Sequence, residues 1–337
     1  MNPVHKPSRR IQNRRGFLGT AMTASAILSC PIVSQSAVKN LSKKVTFGII
    51  ADLHQDVMHD GYDRLNAFVK SMSSVRPDAL LQLGDFAYPN EKNKETIELF
   101  NRAHKKTLHV IGNHDTDSGH TIKQCKEIWG MPSRYYVENI EGLNLVVLDG
   151  NDKGSPSHKG GYPSFVGEEQ VAWLEEQLNK IVGPIIIVSH QPLAGPWAVD
   201  NAEEIQKLLS KYSDKILIAL NGHSHIDHIL KVDGVVYMHV NSASYQWVGG
   251  DYVHESYPEH IHKKFPWIAY TCPYKDSLFA TLTVDPEKMA IQIHGRKSKW
   301  VGKSPADLGK QMHPSLVSGE QVAPRIRNRI IERTKKS

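Results

Sequence analysis

Five short segments carry histidine, aspartate and asparagine side chains of the kind that bind metal ions. They are Asp52-Leu53-His54, Gly84-Asp85, Gly112-Asn113-His114-Asp115, Ser189-His190 and Gly222-His223-Ser224-His225. Four of them follow stretches of strand-forming residues, at positions 45–51, 79–83, 107–111 and 185–188, and the fifth follows residues 215–221. Because α/β folds place their chemistry at the carboxyl ends of strands, we expect the five segments to converge at one edge of a sheet.

The donor atoms of these segments restrict the metal. The candidate ligands offer only oxygen or imidazole nitrogen, and they are Asp52, His54, Asp85, Asn113, His190, His223 and His225. Without a thiolate, the set suits Mn, Fe, Zn or Co rather than Cu(I) or an iron–sulfur cluster. Asp85 stands alone after its glycine and is the natural carboxylate to bridge two ions. Two ions about 3.5–4 Å apart bind a phosphoryl oxygen and lower the pKa of a shared water, which favours phosphate ester hydrolysis.

Strand-like and helix-like patterns alternate along the part of the chain that carries these segments. Apolar residues recur at helical spacing in residues 62–75, 94–106, 167–181 and 202–212. Further strand-like stretches lie at residues 143–148, 216–221, 235–240, 279–284 and 289–295. The alternation predicts strands joined by right-handed crossovers with helices outside, and the later strands predict a second sheet that completes the core. The polar, basic segment after Ser298 is predicted to be a peripheral helix or partly disordered.

Taken in order, the motifs resemble those of the calcineurin-like metallophosphoesterases. The resemblance extends from about Val45 to Trp300. It implies an α/β fold, a calcineurin-like four-layer α/β/β/α sandwich of two β-sheets flanked by helices, with two divalent or trivalent ions (Mn, Fe or Zn) at one edge. The expected organisation is a metallophosphoesterase domain at residues 38–300 and a basic C-terminal tail at residues 301–337.

Carried over residue by residue, the resemblance assigns ligands to each metal. The first metal is implied to bind Asp52, His54, Asp85 and His225, and the second Asp85, Asn113, His190 and His223. His114 is implied to contact the phosphate and to protonate the leaving oxygen. Its neighbour Asp115 is expected to orient that imidazole or to raise its pKa as a nearby negative charge. An ordinary surface pairing of carboxylate and imidazole is the alternative for Asp115.

Other polar and aromatic residues have less specific interpretations. Gly84-Asp85-Phe86-Ala87-Tyr88 also matches a purple acid phosphatase motif whose tyrosine binds the ferric ion. Those enzymes lack a histidine at the position of His54, so Tyr88 is expected to pack beside the ligands instead. The aromatic residues at 245–247 either stack on a nucleobase or cover the core, and the second is favoured. His254, His260 and His262 either touch the phosphate or form a solvated loop, and the second is favoured.

The predicted function is hydrolysis of a phosphate ester by a metal-activated hydroxide, most simply by a phosphatase acting on a small phosphorylated substrate. Residues 160–174 resemble a stretch found in phosphatase and nucleotide-diphosphatase branches of the family. A phosphodiesterase or a nucleotide diphosphatase of the ADP-ribose or CDP-alcohol type is therefore an alternative. A non-catalytic envelope binding protein is another. The presence of all seven ligands and of His114 favours the enzyme.

The first 37 residues resemble an export signal. Asn13-Arg14-Arg15-Gly16-Phe17-Leu18 is similar to the twin-arginine signal, and the apolar stretch at residues 17–33 is short for a membrane span. Small residues such as Ser34 and Ala37 offer cleavage sites. We therefore expect the twin-arginine export machinery as a partner, a periplasmic or extracellular location, and no transmembrane span in the mature chain. A weak lipobox makes a lipid anchor at Cys30 an alternative.

The charge distribution argues against nucleic-acid binding. Residues 1–37 and 324–337 each contribute +5 to the formal charge of +6, so the remaining body carries −4. A mildly acidic body is not the electrostatic footprint of a nucleic-acid-binding protein. The sequence leaves open the oligomeric state and whether Cys125 and Cys272 form a disulfide.

Overall fold

Two mixed β-sheets form the centre of the molecule. The computed structural model describes residues 26–31 and 41–334 of the chain. The first sheet contains, in spatial order, β1 (Ala26–Pro31), β15 (Arg329–Thr334), β14 (Ala290–His294), β13 (Ala280–Asp285), β2 (Val45–Ile50), β3 (Ala79–Gln82) and β4 (Thr107–His109). The second contains β5 (Tyr136–Ile140), β6 (Leu143–Val147), β7 (Ile185–Ser189), β8 (Ile216–Asn221), β10 (Val235–His239) and β9 (His228–Val232). A small third sheet pairs β11 (Tyr245–Trp247) with β12 (Thr271–Pro273).

Helices flank the two large sheets. They are α1 (Gly61–Val75), α2 (Lys94–Ala103), α3 (Ile122–Trp129), α4 (Glu168–Lys180), α5 (Ala202–Ser210) and α6 (Glu259–Lys264). The apolar stripe of α1 packs near the first sheet, where Met72 lies beside Gly48 of β2. None of the helices in the described residues is both long enough and apolar enough to cross a membrane.

Alternating side chains of the strands supply two apolar layers. Leu145 and Val147 of β6 join Phe47 of β2 in one buried cluster, which lies between the sheets. Val146, between them in β6, points the other way and packs in a second cluster with Leu174 of α4. A sheet buried on both faces in this way needs helices outside it. The predicted four-layer α/β/β/α sandwich is confirmed.

The parallel strands of both sheets place their carboxyl ends where ligands can meet. In the first sheet β2, β3 and β4 are parallel neighbours. In the second sheet β6, β7 and β8 are parallel neighbours. Chain segments that leave these strands therefore start from shared edges, as the sequence predicts.

The strands and helices predicted from periodicity are confirmed, with boundaries shifted by a few residues. The helix predicted at residues 94–106, for example, ends at Ala103, and the strand predicted at 107–111 is Thr107–His109. The sequence analysis did not predict α3. This short helix begins with a capping box in which Thr121 and Gln124 exchange side-chain to backbone hydrogen bonds.

The basic segment after Ser298 does not form the predicted peripheral helix. It contributes β15 to the first sheet, between β1 and β14. The fully buried Asp227 explains why arginines can lie there. Its carboxylate accepts a hydrogen bond from Arg327 Nε at 2.7 Å, and Arg329 Nη2 lies 2.6 Å from the other oxygen. The buried carboxylate compensates the positive charge that had suggested an exposed tail.

We expect Asp227→Ala to reduce the free energy of unfolding by about 3–5 kcal/mol, because it leaves a buried guanidinium without its partner. Urea denaturation of the metal-free protein measures this value. The matched control is Glu320→Ala, since Glu320 pairs with the same Arg327 at 3.3 Å but is 59% exposed and should contribute little. Equal effects of the two substitutions would contradict a structural role for the buried pair.

Candidate metal centre

The seven candidate ligands predicted from the sequence meet at one place. Asp52 and His54 follow β2, Asp85 follows β3, and Asn113 follows β4 by a few residues. The second sheet supplies His190 after β7, and His223 and His225 after β8. Two groups could each hold a metal ion, and within each group the donor atoms all lie within 4.8 Å of one another. One group is Asp52 with His54 and His225, and the other is Asp85 with His190 and His223.

The backbone of these ligands is bent sharply as each strand ends. Five ligands have positive φ angles between 49° and 65°, namely Asp52, His54, Asp85, His223 and His225. Residues other than glycine enter this left-handed region at a cost of about 1–3 kcal/mol each. The surrounding buried strands hold the ligands in that conformation. Strain concentrated on one set of side chains is typical of functional sites.

Glycines before the ligands allow two strand ends to approach closely. A Cβ atom on Gly84, whose φ is +91°, would lie 2.4 Å from His190 Nδ1. A Cβ on Gly112 would lie 2.1 Å from Asp85 Oδ1. Both distances are far below van der Waals contact, so a larger residue at either position would displace a ligand. The glycines in the sequence motifs are therefore steric requirements of the site.

Backbone carbonyls set the orientation of two imidazoles. His225 Nδ1 donates to the carbonyl of Tyr245 at 2.8 Å, and His190 Nδ1 donates to the carbonyl of Leu83 at 2.7 Å. Each ring then presents Nε2 towards the site. This arrangement is the usual one for metal-binding histidines, whose outer nitrogen is fixed by a carbonyl or carboxylate.

The inward-facing nitrogens lie close to one another and to the carboxylates. His54 Nε2 is 3.1 Å from His225 Nε2, and His190 Nε2 is 3.3 Å from His223 Nδ1. Two nitrogen lone pairs at such distances repel unless a proton or a metal ion lies between them. The donor set and these contacts fit two cations.

Asp85 stands between the two groups. Its Oδ2 atom lies 3.2 Å from His190 Nε2 and 3.6 Å from His54 Nε2. The amide oxygen of Asn113 completes the second group, 3.2 Å from His190 Nε2. This position places one carboxylate beside histidines of both groups.

The pKa shifts reflect a site that is buried and short of positive charge. Burial lowers the pKa of His54 well below its ordinary value and lowers that of His223 to about 3. Burial also lowers the pKa of His190, but the adjacent Asp85 outweighs it and raises the pKa to about 9. Burial therefore favours the neutral form of His54 and His223, which is the form that binds a metal ion, whereas a metal ion must displace the proton that Asp85 favours on His190.

Asp115 has a different environment from the one predicted. It is buried and its carboxylate accepts hydrogen bonds from the backbone N–H groups of Asp85, Phe86 and Gly112, at 2.9, 2.7 and 2.7 Å. These bonds tie together two of the ligand-bearing segments. Asp115 therefore shapes the backbone around Asp85 rather than orienting the ring of His114.

Asp117 contacts His114 instead. His114 Nδ1 is 2.7 Å from Asp117 Oδ2, and the hydroxyl of Tyr162 donates to the same oxygen at 2.8 Å. Burial lowers the pKa of His114, but Asp85 and Asp117 outweigh it and leave the pKa above its ordinary value. The sequence analysis missed both partners. The available signals were a carboxylate three residues after His114 and the place of Tyr162 in residues 160–174, the stretch that resembles other branches of the family.

The residues with less specific predictions lie outside the two groups. The ring of Tyr88 packs against His120, with centroids 5.4 Å apart, and burial raises the pKa of its hydroxyl to about 12. His262 Nε2 accepts hydrogen bonds from the backbone N–H groups of Ser256 and Tyr257, so it stabilises its own loop. Cys125 and Cys272 are both buried and free.

Solved structures with the same fold include enzymes and one anchor protein. A dimetal phosphatase from Danio rerio is 15% identical, with a TM-score of 0.53, covering 76% of this chain and 98% of that one. GAP50, the anchor in the inner membrane complex of Plasmodium, is 15% identical with a TM-score of 0.52, covering 78% and 86%. Purple acid phosphatase PPD1 from yellow lupin (Lupinus luteus) seeds is 14% identical with a TM-score of 0.50, covering 87% of this chain and 54% of that one.

The comparison with family models identifies the chain more specifically. No curated protein matches it significantly. The model described as calcineurin-like phosphoesterase matches residues 45–227, which are more than half of the chain and include every candidate ligand. The chain thus belongs to the calcineurin-like phosphoesterase family and is a metal-dependent phosphoester hydrolase.

Proposed function

We propose that this hydrolase is an exported phosphatase with two metal ions, acting on small phosphate monoesters. The observation that carries the proposal is the position of Asp85 Oδ2 between two groups of donor atoms, with His114 beside them. The rings of His54 and His114 are 5.4 Å apart, so an ester held at the ligands would lie within reach of His114. Two of the solved structures with this fold are described as phosphatases, which supports the monoesterase over its alternatives.

The proposed ligand sets follow from the two groups. Asp52, His54, Asp85 and His225 would hold one ion, and Asp85, Asn113, His190 and His223 the other. When bound, the ions would supply Lewis acidity to a phosphate oxygen and to the attacking water. The protein contributes by fixing the donors rigidly, because the strained strand ends and the carbonyl-bound imidazoles leave them little freedom.

His114 is proposed as the acid that protonates the leaving oxygen. Its Nδ1 is engaged by Asp117, so Nε2 is the nitrogen free to donate a proton to the ester. The raised pKa favours the protonated form of the ring, which is the form that a general acid requires. Asp117 is a positioning residue, and Tyr162 fixes Asp117 from the other side.

Export is proposed from the sequence of the first 37 residues. The twin-arginine motif at residues 13–18 and the cleavage region at residues 34–37 lie outside the described residues. Of the apolar stretch, residues 26–31 are described as β1, and the side chain of Cys30 is outside the description. The twin-arginine machinery transports folded proteins, so this chain could acquire its metal ions before export.

The first test is hydrolysis by the Mn-loaded protein of para-nitrophenyl phosphate, bis-para-nitrophenyl phosphate and ADP-ribose, compared with Asn113→Ala. We expect the monoester to be preferred and the substitution to lower kcat/KM by at least about 100-fold, because it removes a metal donor. The control is Asn144→Ala, since Asn144 lies at the far end of β6 and binds the carbonyl of Pro184. A preference for either other substrate would assign the diesterase or diphosphatase alternative. Two bound metals without turnover would favour the binding protein.

The second test separates general acid catalysis from phosphate binding. His114→Asn should reduce kcat for glycerol 3-phosphate by about 10²–10⁴-fold, since its alkoxide leaving group needs a proton. The loss should be much smaller for para-nitrophenyl phosphate, whose phenolate leaves without one. Asp117→Asn should show the same pattern more weakly, whereas Tyr162→Phe, which keeps the Asp117 charge, should change little. Equal losses for both esters would contradict the assigned role.

The third test concerns export. Replacing the pair by Arg14→Lys and Arg15→Lys preserves the charge but removes the two guanidinium groups. In a bacterium with a twin-arginine pathway, we expect the substituted chain to remain in the cytoplasm while the original chain is found in the periplasm. Fractionation with activity measurement distinguishes them. Export of both chains to the same extent would refute the signal and leave the hydrolase assignment intact.

A further inference from the structure

Aromatic rings lead outward from the candidate metal centre in an unbroken row. Tyr245 stacks on the ligand His54, with centroids 4.9 Å apart and planes inclined by 30°. Trp247 follows Tyr245 at 6.4 Å, and Tyr270 stacks on Trp247 at 5.8 Å with planes only 9° apart. Trp267 ends the row, 5.2 Å from Tyr270. We call Tyr245, Trp247, Tyr270 and Trp267 the aromatic row.

The geometry of β11 explains why the row points away from the site. Tyr245 and Trp247 are two residues apart in this strand, so their side chains project from the same face. β12 pairs with β11 so that Thr271 lies opposite Trp247, which brings the preceding residue, Tyr270, alongside the indole. A face that begins against a metal ligand therefore continues into solvent.

The two tryptophans of the row are exposed, whereas Tyr245 is buried and Tyr270 is half-buried. Tyr245 is only 2% exposed, whereas Trp247 is 41% and Trp267 is 56% exposed. Tryptophan is the largest apolar side chain, and leaving two of them partly uncovered is unfavourable unless something binds there. The buried end of the row is part of the core, since Tyr245 packs against Met58 and Ile268.

The row is held rigidly from below. Ile268, between Trp267 and Tyr270, is fully buried in that cluster. The turn after β11 is fixed where Lys310 Nζ donates to the carbonyl of Val248 at 2.8 Å, and the backbone N–H of Val248 donates to the carbonyl of Tyr270 at 2.9 Å. A rigid aromatic surface loses little conformational entropy when a ligand stacks on it.

We propose that the aromatic row is the subsite for the leaving group, and that the substrate is a phosphate ester whose leaving group carries a flat ring. This inference rests on the proposed function and specifies its substrate class. With the phosphate at the metal centre, the leaving group would extend outward past the buried Tyr245, and its ring would stack on the exposed part of Trp247. A nucleobase, an aryl ring and the apolar face of a sugar share this chemistry.

The test compares four esters: adenosine 5′-monophosphate, phenyl phosphate, ribose 5-phosphate and glycerol 3-phosphate. For each, kcat/KM of Trp247→Leu is divided by that of the original protein, which cancels the intrinsic reactivity of the ester. We expect this ratio to be on the order of tenfold lower for the best ring-bearing ester than for ringless glycerol 3-phosphate, the range found for stacking on one aromatic side chain. The ester with the lowest ratio identifies the ring as base, aryl or sugar.

Matched variants separate stacking from general damage. Trp247→Phe keeps a flat ring and should retain most of the preference, whereas leucine is apolar but not flat. Trp267→Leu, at the outer end, should have a smaller effect than Trp247→Leu. The control is Trp173→Leu. Trp173 lies on the outer helix α4, where its ring contacts Tyr135, so this substitution should not change the preference for a ring. Equal losses of kcat/KM for all four esters in Trp247→Leu, or no loss, would overturn the inference. Either result is expected if the tryptophans bind another protein instead of the substrate.

The failure of the proposed function would look different. If the metal-loaded protein hydrolyses none of the esters, the phosphatase proposal fails, and calorimetric binding then decides the subsite. Tighter binding of adenosine 5′-monophosphate or phenyl phosphate than of glycerol 3-phosphate, lost in Trp247→Leu, would support it. Binding that is indifferent to the ring would overturn it. Hydrolysis of all four esters without any ring preference would leave the phosphatase standing and reject the subsite alone.

Discussion

The structure depends on holding seven donor side chains close together, although the lone pairs of their nitrogen and oxygen atoms repel one another. Imidazole nitrogens face each other at 3.1 Å in one group and at 3.3 Å in the other, and Asp85 lies between the two groups. These donors repel one another unless cations are present. Five of the ligands also carry left-handed backbone strain. The free energy for this comes from the sheets, whose strands before the ligands are almost entirely buried. Bound ions would offset part of it, because a ligand that binds only the folded state stabilises that state.

Tyr245 connects this constraint with substrate choice. Its carbonyl accepts a hydrogen bond from His225 Nδ1, and its ring stacks on His54, so one residue contacts two ligands of the same group. The same strand presents Trp247 two residues later. If the leaving group stacks there, its binding energy is applied to a strand that also orients the metal ligands. Binding of the substrate and the geometry of the metal centre are then physically linked.

The ligands could be predicted from the sequence because each obeys a local rule, a buried strand followed by a polar side chain, often with a glycine before it. The sequence draws attention to the segments of Tyr162 and Tyr245, but only the fold shows that Tyr162 contacts Asp117 and that Tyr245 stacks on His54. β15 was missed for another reason. Arg325, Arg327 and Arg329 alternate with period two, as in a strand, but three arginines are typical of an exposed segment. Asp227, 100 residues before Arg327, pairs with Arg327 and with the buried Arg329, and that pairing is visible only in the fold.

The residues that position the metal ligands are far apart in the sequence, so the site forms only after distant parts of the chain have come together. His225 lies two residues before Asp227, which is held by arginines near the end of the chain, and the ligands themselves come from both sheets. A nascent chain that still lacks Arg327 and Arg329 has no partner for Asp227 and would hold the second sheet's ligands less firmly. Metal loading should therefore follow completion of the fold. That order agrees with the proposed twin-arginine route, because a pathway that transports folded proteins lets the site close around its metal ions before the chain leaves the cytoplasm.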